Sequence, residues 1–319
     1  MRSAVNSSRS DVDLSVAVGS VRLPNPVMTA SGTAGHGAEL DRYVPLATLG
    51  AHVVKSLAAF AWQGNPSPRL HPTPLGMLNS VGLQGPGVAA WLADDLPALE
   101  RTGARIVASI WGRTVSEFRS AAELIAGAGP AVVAVEVNLS CPNLEGGRHL
   151  FAYSPRDSAE VVAAAAACGR PLWAKLSAAT DRLVEVAAAA ADAGAEALTL
   201  INTVPGLAID LDTRLPVLGA GGGALSGPAI HPVAVRAVFD VHAALADMAI
   251  VGVGGVTRGV DAVELILAGA SAVQVGTATF ADPRAAGRVL AELTQWCRSA
   301  GVDRIADLRG NVHRRQVQT

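Results

Sequence analysis

The segment Val137-Asn138-Leu139-Ser140-Cys141-Pro142-Asn143 places a lone thiol between two carboxamides. A cysteine can move a proton, and Asn138 and Asn143 can each donate and accept hydrogen bonds to a planar, amide-rich substrate. Pro142 biases the residue before it toward extended backbone. Read alone, the stretch fits a packing cysteine beside turn-forming asparagines better than a catalytic one. Lys55 and Lys175 add a second demand. Each stands near the end of an apolar run, where an ammonium needs a charge partner. A third signal is a pair of turns, Val251-Gly252-Val253-Gly254-Gly255 and Val273-Gln274-Val275-Gly276-Thr277, whose backbone N–H groups can converge on a phosphate.

A phosphate-anchored flavin, FMN, satisfies the glycine turns and both lysines together. Its reduced ring carries negative charge that a fixed lysine stabilises. A Schiff-base role for Lys175, as in barrel aldolases, competes with this reading but leaves Cys141 and the asparagines unused.

These residues must be held by something, and the pattern around them is an alternation. Short apolar runs at 26–29, 52–56, 105–110, 132–138, 172–176, 197–201, 249–253 and 272–276 read as parallel strands. Helical patterns lie between them; Leu183, Val186, Ala187 and Ala190 follow one face, with Gly194 as the stop. Eight such repeats predict an α/β fold, a (β/α)8 TIM barrel, ahead of a two-domain Rossmann arrangement, because no G-x-G-x-x-G follows the first strand. Residues 12–23 predict a short N-terminal β-hairpin plugging the opposite end. Long active-site loops are expected at 57–87 and 143–153, and nearly every polar candidate falls at a strand's carboxyl end. One domain over 12–308 is expected, between a flexible 1–11 and a solvated tail at 309–319.

Composition narrows the partners. With 50% hydrophobic and 16% charged residues and a net charge of −2, the chain suits a large core, not nucleic acid or an anionic membrane. No apolar stretch is long enough to span a bilayer and residues 1–11 do not read as a secretory signal, so a cytoplasmic location is expected. Three dispersed cysteines, Cys141, Cys168 and Cys297, give no disulfide framework and no metal site. The latter two read as packing residues.

Five pieces, in order, resemble the class 1 dihydroorotate dehydrogenases: Asn79-Ser80-Val81-Gly82-Leu83-Gln84, residues 138–143, Ile201-Asn202-Thr203, Leu225-Ser226-Gly227-Pro228-Ala229-Ile230 and Val275-Gly276-Thr277. Gly82-Leu83-Gln84 and Leu225-Ser226-Gly227-Pro228-Ala229-Ile230 look most like the NAD-linked B type. The resemblance implies FMN-dependent oxidation of (S)-dihydroorotate to orotate in pyrimidine synthesis, with another dihydropyrimidine such as dihydrouracil as the alternative substrate. It implies Cys141 as base and Lys55 touching both substrate and flavin. Asn79, Ser80, Val81, Gly82, Leu83, Asn138, Asn143, Asn202 and Thr203 would bind substrate. Ser31, Ser56, Ser109, Asn138, Lys175, Ile201, Gly227, Gly254, Gly255, Gly276 and Thr277 would hold the flavin. Ser109, Gly85 and Ser177-Ala178-Ala179 depart from the common family pattern. A B-type chain implies a separate FAD and iron–sulfur subunit, in a heterotetramer, or else a homodimer.

Overall fold

The computed structural model describes residues 11–141 and 150–314. The strands are β1 (Val16–Val18), β2 (Val21–Leu23), β3 (Val27–Thr29), β4 (His52–Val53), β5 (Leu70–Thr73), β6 (Gly76–Asn79), β7 (Ile106–Ile110), β8 (Val132–Asn138), β9 (Leu172–Leu176), β10 (Ala197–Leu200), β11 (Val204–Gly206), β12 (Gly223–Ser226), β13 (Ala249–Val253) and β14 (Ala272–Val275). Eight of them run parallel in the order β3-β14-β13-β10-β9-β8-β7-β4, and a parallel bridge between Met28 and Ala51 joins the two edges. This is the expected (β/α)8 barrel. Three strands, β8, β9 and β13, have the bounds read from sequence. They are apolar runs buried on both faces, as a parallel barrel wall requires.

Helices cover the outer face. The helix Val115–Ile125 starts where Thr114 Oγ accepts from Glu117 N at 3.1 Å, and Pro155–Ala165 starts at Ser154, whose hydroxyl accepts from Asp157 N at 3.2 Å. Such caps satisfy amides that have no partner inside the helix. The Leu183–Asp192 helix buries Val186, Ala187 and Ala190 as the spacing predicted. After β3 the chain makes only a 3-10 turn, Leu46–Thr48, before entering β4.

The β1–β2 hairpin closes the amino-terminal end, where Ser20 N donates to Glu196 beside the start of β10. The carboxyl segment departs from the expected solvated tail over its described part. Arg309 donates to the carbonyls of Ala246, Met248 and Gly269, and His313 stacks on Phe239 with ring centroids 4.2 Å apart. Three backbone acceptors outcompete water because the guanidinium presents several donors at once. The long loop at 57–87 is also more than a loop. Its β5 and β6 pair with β11 and β12 in a four-stranded antiparallel sheet, order β11-β12-β6-β5, over the opposite, carboxyl end of the barrel.

Candidate active site

A cavity of about 370 Å³ lies between the carboxyl ends of the barrel strands and that four-stranded sheet. Its volume is in the range of small-molecule and cofactor sites. Ser31, Lys55, Ser56, Asn138, Lys175, Ile201, Gly227, Gly254, Gly255, Gly276 and Thr277 line it, from seven of the eight barrel strand ends and the β12 loop. Asn79, Val81, Gly82 and Leu83 reach it from the sheet, and Asn202 and Thr203 from the end of β10. Ser80 and Ser109 are buried behind the wall, and Asn143 lies outside the described residues.

The polar wall is a connected network. Asn138 Nδ2 donates to Ser56 Oγ at 3.3 Å, and Asn138 Oδ1 accepts from Asn202 Nδ2 at 3.0 Å and from Ser140 N at 3.2 Å. Ser56 Oγ in turn meets Ser109 Oγ at 2.9 Å and Ser31 Oγ at 3.3 Å. Asn202 Oδ1 accepts from Thr203 N at 2.8 Å. Each carboxamide is therefore fixed in one orientation before any ligand arrives, which is how a polar site spares the cost of ordering its donors on binding. Ser109 meets Ser56 and does not itself line the cavity.

Cys141 sits beside this network, fully buried and outside the cavity wall, with its Sγ donating to the Asn138 carbonyl at 3.1 Å. Burial pushes the thiol up to about 12, against the pull of Lys55 and of an N–H from Gly112. Burial pushes the Lys55 ammonium down to about 8, and the charge of Lys175 adds to the fall, while Cys141 opposes it. Among the described residues, the charges that weigh most on Lys55 are those of Lys175 and Cys141, and neither is a carboxylate.

Lys175 is different. Its Nζ lies 3.6 Å from Oε1 of Glu136, a carboxylate with no exposure to solvent. The expectation that a bound group must supply the partner of Lys175 is corrected: the barrel carries one. Glu136 is not among the residues the sequence singles out. The available signal was its position two residues before Asn138, which places both side chains on the same face.

The end of the cavity formed by the two glycine turns rests on backbone. Among the described residues, no carbonyl or side-chain acceptor takes the N–H of Gly255, Gly276 or Thr277. Gly255 has φ +69° and a Cβ there would lie 2.6 Å from Cβ of His231, so only glycine lets this turn approach the helix His231–Ala244. Unspent N–H groups at adjacent turns form an anion-binding concavity, so the residues present fit a phosphorylated flavin.

The model of the family described as dihydroorotate dehydrogenase matches residues 13–296. The chain belongs to that family. Its similarity runs to B-type catalytic subunits, as the motifs implied. A relative named dihydroorotate dehydrogenase B (NAD(+)), catalytic subunit, from Geobacter sp. (strain M21) is 44% identical over 299 residues, 93% of this chain and 97% of the relative. Proteins of the same name from Pelobacter propionicus and Desulforudis audaxviator are each 46% identical, over 93% and 95% of this chain and 98% of each relative. The family is one of oxidoreductases, and no described helix is long and apolar enough to cross a membrane.

Proposed function

We propose that the chain oxidises (S)-dihydroorotate to orotate in pyrimidine synthesis, using FMN bound in the cavity. The observation that carries this reading is the convergence of the Asn138–Asn202 pair, Lys55 and the unspent N–H groups of Gly255, Gly276 and Thr277 on one cavity. When bound, FMN supplies a two-electron acceptor for the hydride leaving C6 of the substrate. Gly254, Gly255, Gly276 and Thr277 would bind its phosphate and ribityl chain, Lys175 its N1 side, and Ser31, Ser56, Ile201 and Gly227 its ring.

The substrate's ring amides are met by Asn79, Asn138, Asn143, Asn202 and Thr203. Its carboxylate gives Lys55 the counter-charge it lacks among the described residues, which a neutral ring such as dihydrouracil would not. Cys141 takes the C5 proton. Its own Sγ proton, held on the Asn138 carbonyl, must first pass to the Lys55 amine, leaving a thiolate stabilised by the ammonium. The thiolate then turns toward the cavity and, on accepting the C5 proton, becomes a thiol.

The name catalytic subunit, borne by the relatives, supports a separate electron-transfer partner, with FAD and an iron–sulfur cluster, in a heterotetramer. Residues 12–308 then form the FMN-binding domain, and the site of action is the cytoplasm. The test is a dye-linked assay with dihydroorotate and dihydrouracil in parallel. Turnover of dihydroorotate alone is expected; turnover of dihydrouracil alone would contradict the assignment.

A further inference from the structure

Beneath the cavity floor lies a second polar layer inside the barrel. Glu136, Thr199 and Gln274 have no solvent exposure, although each belongs to a strand that is otherwise apolar apart from Asn138 at the end of β8. Gln274 Nε2 donates to Glu136 Oε2 at 2.8 Å, and Thr199 Oγ1 donates to the same oxygen at 3.2 Å. The other oxygen, Oε1, accepts no hydrogen bond from any described residue and faces Lys175 Nζ at 3.6 Å. Lys175 pairs across the strands with Asn138 and Thr199, and it lines the cavity above. Its ammonium is thus held between a carboxylate below and the ligand space above.

A buried carboxylate is costly to a fold, and a barrel interior is ordinarily filled with branched apolar side chains. The three strands β8, β10 and β14 all bend that rule at one level, and the result is a clamp. Two donors fix one carboxylate oxygen so that the other stays aimed at a single lysine.

We propose that Glu136 is a positioning residue for Lys175, and that its charge sets how strongly Lys175 stabilises the negative charge a flavin gains on reduction. The inference rests on the reading that FMN occupies the cavity with its N1 side toward Lys175. Glu136 cancels part of the lysine's field at the cavity and holds the ammonium at a fixed depth. Thr199 and Gln274 hold Glu136 in turn. The barrel floor is therefore a control on flavin potential, reached from below and without contact with substrate.

The experiment is the midpoint potential of the FMN-loaded protein, by anaerobic dye titration of wild type, E136Q and E136D, with FMN affinity measured alongside. In E136Q the amide oxygen still accepts from Gln274 and Thr199 while the charge is gone. The equilibrium is expected to move at least tenfold toward reduced flavin, a rise of about 30 mV for a two-electron couple. E136D keeps the charge but withdraws it by one methylene, so a smaller rise is expected; it carries the test if E136Q does not fold. FMN uptake with an unchanged or lowered midpoint in the variants that fold would overturn the inference alone. A wild-type protein that takes up no FMN would overturn the inference and the functional reading together.

Discussion

The Lys55–Cys141 pair makes the pH dependence of flavin reduction a sharp test. Lys55 is pushed down to about 8 and Cys141 up to about 12, and each acts on the other. The two therefore titrate as a unit. Between the two values the pair holds one proton, shared between an ammonium–thiolate form and an amine–thiol form. Only the first has a base beside a charged lysine, and its share of the singly protonated pair does not change with pH. Below the first value that state itself is lost tenfold per pH unit. The first-order rate of flavin bleaching by saturating dihydroorotate should therefore rise about 50-fold from about pH 6 to about pH 8, then level off within about one further unit. Without Lys55 the thiol titrates alone, so K55M should be slower throughout and its rate should keep climbing past pH 9 with no break. Anaerobic stopped-flow absorbance measures both profiles directly. A flat wild-type profile between pH 6 and 8, or a break that survives in K55M, would refute the coupling.

Three further outcomes follow from single sites. Replacing Cys141 with Ala removes the base but leaves the FMN contacts, so bleaching should slow by about 10²- to 10⁴-fold with the yellow colour retained. Replacing Gly255 with Val drives a Cβ to 2.6 Å from His231 and forces φ +69° on a branched residue. FMN affinity should fall at least tenfold and the melting temperature should drop, both readable by flavin fluorescence. His52 is fully buried, its Nε2 meets no partner, and burial pushes its imidazole down to about 4. The unfolded chain takes up a proton near pH 6.5 that the folded one refuses, so stability should decline by about 3 kcal/mol as pH falls from 6.5 to 4. Denaturant midpoints of wild type and H52Q across that window should converge toward low pH; parallel curves would remove His52 from the account.

Much of this was legible because a parallel barrel writes itself in a simple code. A strand such as Val132–Asn138, buried on both faces, is an apolar run, and the polar residues that end it mark the site. Gly254-Gly255 and Gly276-Thr277 could be placed the same way, since a glycine turn after a late barrel strand has few other uses. What escaped was pairing at a distance. Leu70–Thr73 pairs with β6 as a local hairpin, but nothing in either strand announces that β6 will pair with β12, a segment more than a hundred residues away. Arg309 looked solvated because its three carbonyl partners are visible only once the amino-terminal end of the barrel is formed. Glu136 stands inside a strand that otherwise reads as apolar up to Asn138. Its meaning depends on Gln274, 138 residues away, and on Lys175, whose partner was sought in a ligand instead. Cys141 was legible as a residue type but not as a buried thiol bonded to the Asn138 carbonyl, since side-chain direction in a turn is set by packing.

The most direct measurement is an absorbance spectrum of the purified protein before and after anaerobic dihydroorotate. Oxidised-flavin bands that bleach on addition are expected, establishing the cofactor and the reductive half-reaction at once. Flavin bands that persist would contradict the substrate assignment, and a colourless protein that takes up no added FMN would contradict the account of the cavity itself.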